Sequence, residues 1–100
     1  MATKYSIKEN SFRIGCGRYL QGSGIISTVA DEVIRLGCRK AYVLGGKTAL
    51  SLTREQIEES ISASGLTAIF HTYLGFCCQD TCDEIMDSDE FKACDVVIGV

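Results

Sequence analysis

The chain has 100 residues, with 10 lysines and arginines against 13 aspartates and glutamates, a formal net charge of -3 and 46% hydrophobic residues. Charges of both signs are interspersed, so there is no basic footprint for a nucleic-acid backbone or an anionic membrane, and no apolar run approaches the roughly 20 residues that span a bilayer. This length supports one domain with a modest core and leaves no room for a second, and the charged N-terminus lacks a signal-peptide hydrophobic region, which points to a cytoplasmic protein.

Residues 11–16 (SFRIGC) alternate polar and apolar side chains and predict a strand, with Gly17 interrupting it and residues 18–20 (RYL) opening a second short extended piece. Gly22 and Gly24 mark a turn. From residue 25 to 36 the apolar side chains Ile25, Ile26, Val29, Ala30, Val33, Ile34 and Leu36 recur at helical spacing, and Gly37 follows as a left-handed stop. Residues 40–44 (KAYVL) read as a short apolar strand ended by Gly45-Gly46.

Residues 48–52 suit one or two helical turns, before Thr53 caps a second helix through the capping-box pattern Thr53-Arg-Glu-Gln56; Ile57 and Ile61 give its apolar face and Gly65 its end. Residues 67–74 (TAIFHTYL) predict a strand rich in β-branched and aromatic side chains, and the acidic residues 80–92 a short exposed helix. Residues 95–100 (DVVIGV) read as a continuous apolar strand of the kind buried on both faces of a parallel sheet. The alternation of strands and helices predicts an α/β fold: a Rossmann-like parallel sheet with helices on both faces.

The six cysteines fall on helix and strand patterns rather than punctuating a loop-rich scaffold, and are read as reduced thiols. Three places bear on chemistry. Gly45-Gly46-Lys47-Thr48 ends like a phosphate-binding P-loop, but that motif needs a glycine five positions before Gly46, where Ala41 stands within a strand. What survives is a glycine pair at the carboxyl end of a parallel strand, with room for a ligand and a positive charge from Lys47; a tight turn with a solvated lysine explains it equally.

Gly22-Ser23-Gly24 begins a dinucleotide fingerprint that Ser27 leaves incomplete. His71, Cys77, Cys78, Cys82 and Cys94 do not form two close ligand pairs, so the pattern favours free thiols and a strand histidine over a zinc site. A Cys and His nucleophile pair lacks a third, orienting group.

The order of these pieces is more specific than any one of them. Tyr19-x-Gln21-Gly22-x-Gly24 before a helix, then Lys40-Ala-Tyr-Val-Leu-Gly-Gly-Lys-Thr-Ala-Leu-Ser51, Ile57-Glu-x-Ser60 and Gly65, Gly75-x-Cys77, and Asp95-Val-Val-Ile-Gly-Val100 together resemble the N-terminal part of the glycerol dehydrogenase family, within the iron-containing alcohol dehydrogenase and dehydroquinate-synthase-like group.

The resemblance runs in register from about residue 12 to residue 100 and covers only a fraction of a family member. It implies that residues 1–100 are the N-terminal part of an NAD(P)-binding α/β domain, an incomplete nucleotide-binding domain without the C-terminal helical domain that holds catalytic zinc or iron. The activity implied is hydride transfer between the alcohol carbon of a polyol or other small alcohol and the nicotinamide of NAD or NADP.

The family's pyrophosphate turn would follow the strand over residues 95–100, so the isolated chain is expected to be inactive. Its expected cofactor contacts are Gly45, Gly46, Lys47 and Thr48. No catalytic residue or metal ligand carries over, and His71 matches none of the family's. Where many relatives place a ribose-binding aspartate this chain has Gly46, which removes the carboxylate that would repel a 2′-phosphate and makes NADP acceptable. The alternatives are a lyase of dehydroquinate-synthase type on the same fold and a small α/β binding module without catalysis.

Overall fold

The computed structural model describes residues 17–75 and 78–100. The strand expected over residues 11–16, and Cys77, lie outside them. After a 3-10 turn over Ile25–Thr28 come α1 (Val29–Arg35), β1 (Lys40–Gly46), α2 (Lys47–Ala63), β2 (Thr67–Tyr73), α3 (Gln79–Asp87), α4 (Asp89–Lys92) and β3 (Val96–Gly99). The strands form one parallel sheet in the order β2-β1-β3. Val43 of the central strand lies beside Phe70 on one side and Ile98 on the other.

Side chains alternate across a strand, and β1 uses both faces. Ala41 and Val43 face Leu50, Ile57 and Ile61 of α2 and Ala30 and Val33 of α1, which together make the buried core. The residues α2 contributes are spaced by seven and four positions, one stripe of a 3.6-residue helix. Ser60 ties the two helices together: its hydroxyl donates to the Ser27 carbonyl (3.2 Å) and accepts from the Ala30 N–H (3.3 Å).

Tyr42 points the other way. Its buried ring meets Phe91 of α4 edge-on, with centroids 5.3 Å apart, and stacks beside His71 of β2 at 6.0 Å. Burial pushes the Tyr42 phenol above its ordinary pKa, and the Ser88 hydroxyl opposes that shift. Helices therefore flank both faces of the parallel sheet, the arrangement of a partial Rossmann-like domain.

Several local expectations are corrected. Residues 18–20 form no strand; Arg18 instead reaches the carboxylate of Glu32 and the Tyr19 hydroxyl donates to Gln21, so the segment is held by side-chain bonds. The helix expected from residue 25 opens as a 3-10 turn, because the Ser27 and Thr28 hydroxyls donate to carbonyls three residues back, Gly24 and Ile25, and tighten it. Thr53 caps nothing: α2 is continuous from Lys47, and the Thr53 hydroxyl donates to the Ala49 carbonyl one turn earlier (2.8 Å).

The acidic helix is broken at Ser88, whose extended backbone (φ -70, ψ 148) ends α3 while its oxygen accepts from the Phe91 N–H and caps α4. β3 is not buried on both faces. Val96 and Ile98 pack toward the core, but Val97 is 52% exposed, because β3 is an edge strand and no described element covers its other face.

Asp95 precedes β3 and fastens it to β1. Its carboxylate accepts the N–H groups of Arg39 (3.0 Å) and Lys40 (3.0 Å), and these bonds, Lys40's first, hold its pKa below the usual carboxylate range. The folded value is the lower one, so this contribution is present above the unfolded carboxylate pKa and lost as pH falls through the folded value. In thermal unfolding followed by circular dichroism, Asp95→Asn is expected to melt below the wild-type chain at neutral pH, with the gap closing below about pH 4. A gap that ignores pH would refute this account.

Candidate functional site

β1 delivers its carboxyl end directly into α2, with no loop between them. The four residues expected to contact a cofactor sit at this junction but differ in what they can do. Gly45 is buried: a Cβ there would stand 2.6 Å from Val100 Cγ2 and 3.1 Å from both the Val100 carbonyl oxygen and Leu50 Cγ. The Val100 N–H donates to the Leu44 carbonyl (3.0 Å), which holds residue 100 against this point. Gly45 therefore meets a packing requirement, since any side chain there would displace Val100 or Leu50.

Gly46 is open. A Cβ there would meet nothing within 4 Å, and its backbone (φ -71, ψ 167) is one any residue adopts. It occupies the N-cap of α2, where it offers no side chain to the free N–H groups of the first turn. No acidic residue lies in that turn, and Lys47 and Thr48 are exposed beside it. The 17-residue helix thus presents unsatisfied N–H donors, the positive end of its dipole and one ammonium group at the carboxyl end of the central strand.

A groove of about 530 Å³ runs from this point along α2 beside β2, lined by Lys47, Ser51, Arg54, Glu55, Glu58 and Thr72. Lys47, Ser51, Arg54 and Glu58 form one stripe, spaced by four, three and four. Thr72 joins them because the parallel register sets it beside Gly45. Arg54 is engaged twice, through Nε to Glu58 (2.9 Å) and with its guanidinium 4.6 Å from the centre of the Phe70 ring. The groove is cationic near the sheet and acidic further along the helix.

The stripe from Lys47 to Glu58 is visible in the sequence once α2 is continuous; assigning Thr53 as a cap hides it. Thr72 had no local signal, since only strand register brings it to the groove. His71 lies on the opposite face, against Tyr42, and is not brought to this site. Among the described residues, no group of three or more His, Cys, Asp or Glu side chains is placed to hold a metal ion. Cys38, Cys78, Cys82 and Cys94 are not joined in disulfides, and no helix of the described residues is long and apolar enough to cross a membrane.

No protein-family model matches this chain, and no curated protein matches it in sequence.

Proposed function

We propose that this chain is the N-terminal part of the NAD(P)-binding domain of a metal-dependent polyol or alcohol dehydrogenase of the glycerol dehydrogenase type, and that the start of α2 receives a phosphate of the cofactor. The observation that carries the reading is the uncapped first turn of α2, flanked by Gly46 and Lys47 at the carboxyl end of the central parallel strand. In open α/β sheets, ligands bind outside the carboxyl ends of the strands, and a helix start there favours a phosphate through its N–H groups and dipole.

The residues fit this part of a dinucleotide. Gly46 leaves space for the phosphate, Lys47 supplies charge, and the Thr48 hydroxyl is a further donor. No carboxylate stands in the first turn of α2 to repel a 2′-phosphate, which supports acceptance of NADP alongside NAD. Hydride exchange with an alcohol carbon is the chemistry the bound nicotinamide supplies. The described residues contain no ligand set for the metal, so no step through it is assigned to them.

The chain is expected to bind NADPH weakly, in the millimolar rather than the micromolar range, because one phosphate contact cannot offset the cost of immobilising a dinucleotide. It is expected to oxidise no polyol. In a nucleotide-fluorescence titration, Lys47→Glu should weaken NADPH binding roughly tenfold, or about 1.4 kcal/mol, as reversal of a charge at a helix start predicts. Equal affinity of the variant and the wild-type chain, or no binding by either, would overturn the assignment.

A further inference from the structure

α3 begins with a pair of thiols one helical turn apart. Cys78 is its N-cap residue, exposed, with an extended backbone (φ -141, ψ 163), and the Cys82 N–H donates to the Cys78 carbonyl (3.1 Å) as the first bond of the helix. Four residues of helical rise place the two Cα atoms about 6 Å apart, inside the separation of about 4.4–6.8 Å that a disulfide spans. Helical side chains lean toward the N-terminus, which directs Cys82 toward Cys78.

The surroundings of Cys78 differ from those of the other described thiols in ways that matter for reactivity. Its sulfur lies 3.2 Å from the Thr81 hydroxyl, which donates when the sulfur is a thiolate. That bond, with the N–H groups of Thr81 and Asp80, lowers the thiol pKa, against the smaller opposing effects of desolvation and of the Glu84 charge. Cys94 is half-buried, its Sγ donates to the Glu90 carbonyl (3.3 Å), and burial pushes its pKa up. Cys38, also half-buried, donates to the Asp95 carbonyl (3.4 Å).

We propose that Cys78 and Cys82 form a redox-active dithiol, with Cys78 the thiol that reacts first with a hydroperoxide and Cys82 the thiol that closes the disulfide. In the first step the Cys78 thiolate attacks one peroxide oxygen. An S–O bond forms, the O–O bond breaks, and the departing oxygen takes a proton and leaves as water or an alcohol. The sulfur is oxidised by two electrons to a sulfenic acid and the peroxide is reduced.

In the second step the Cys82 thiolate attacks that sulfur. An S–S bond forms, the S–O bond breaks, and hydroxide leaves and is protonated to water. Helical neighbours at this spacing hold their Cβ atoms about 5–6 Å apart, beyond the roughly 3.8 Å of a relaxed disulfide. Closure therefore requires Cys78, outside the helix proper, to turn inward, and the bond formed is strained and readily reversed by a dithiol reductant.

The proposal is independent of the cofactor reading, and the test leaves cofactor out. Reduced chain is treated with one equivalent of hydrogen peroxide, and the remaining thiols are counted by maleimide labelling and mapped by mass spectrometry. The wild-type chain and Cys77→Ser should each lose one thiol pair, located at Cys78 and Cys82, and regain it with dithiothreitol. Cys82→Ser should stop at a sulfenic acid on Cys78 that dimedone traps. Cys78→Ser, whose hydroxyl suits the N-cap position of α3, should lose its thiols at least roughly tenfold more slowly. Loss of the disulfide in Cys77→Ser, first oxidation at Cys38 or Cys94, or a Cys78→Ser rate equal to wild type would each overturn the assignment.

Discussion

Replacing Ile57 with alanine is expected to lower the unfolding free energy by about 2–5 kcal/mol. Ile57 has no exposed surface and lies in the cluster that joins α2 to Val43 of the central strand. Truncation there loses the transfer energy of the removed methylene and methyl groups and leaves a void that α1, α2 and β1 cannot all close upon. A domain of this size has a total stability of about 5–15 kcal/mol, so the variant should sit near the edge of folding. Urea unfolding followed by circular dichroism reads the loss as a shift in midpoint. Leu52→Ala, on the same helix but at a side chain 73% exposed, is the control and should change stability by no more than about 0.5 kcal/mol.

The adjacent glycines at the end of β1 should behave differently. Gly45→Ala places a methyl group 2.6 Å from Val100 Cγ2 and 3.1 Å from the Val100 carbonyl oxygen. The side chain can rotate, but the carbonyl belongs to backbone tied to Leu44, so the strands must part slightly. The expected cost is about 1–3 kcal/mol, typical of an overfilled core. Gly46→Ala introduces its methyl into open space at an ordinary backbone angle and should be neutral within about 0.5 kcal/mol. Paired melting curves distinguish the two. Equal effects would mean that Gly45 is not packed as described.

Much of this fold is legible in the sequence because its signals are local. The apolar spacing of Val29, Ala30 and Val33, and the glycines 37 and 65 with positive φ behind α1 and α2, locate both helices closely. The run from Lys40 and the run from Thr67 locate β1 and β2 for the same reason. The misreadings have specific causes. Thr53 satisfies the spacing of a cap, yet Lys47 to Leu52 contain no helix breaker, so the helix propagates through it and its hydroxyl finds the Ala49 carbonyl.

Residues 95–100 resemble a central strand in composition, but sheet order is a tertiary property and leaves Val97 at an edge. The same division applies to the candidate site. Gly46 and Lys47 are visible as a glycine followed by a cation, whereas the packing role of Gly45 depends on Val100 and the contribution of Thr72 on parallel register.

The open start of α2 is proposed to hold a phosphate of a nicotinamide dinucleotide. The most direct measurement is a nitrogen-15 amide spectrum of the chain recorded during titration with NADPH. Progressive shifts are expected at Gly46, Lys47, Thr48 and Ala49, the residues whose N–H groups lie at and just inside the start of α2, reproduced by NADH and requiring roughly tenfold more nucleotide in Lys47→Glu. Shifts confined to the opposite face around Tyr42 and His71, or an unchanged spectrum at saturating nucleotide, would contradict it.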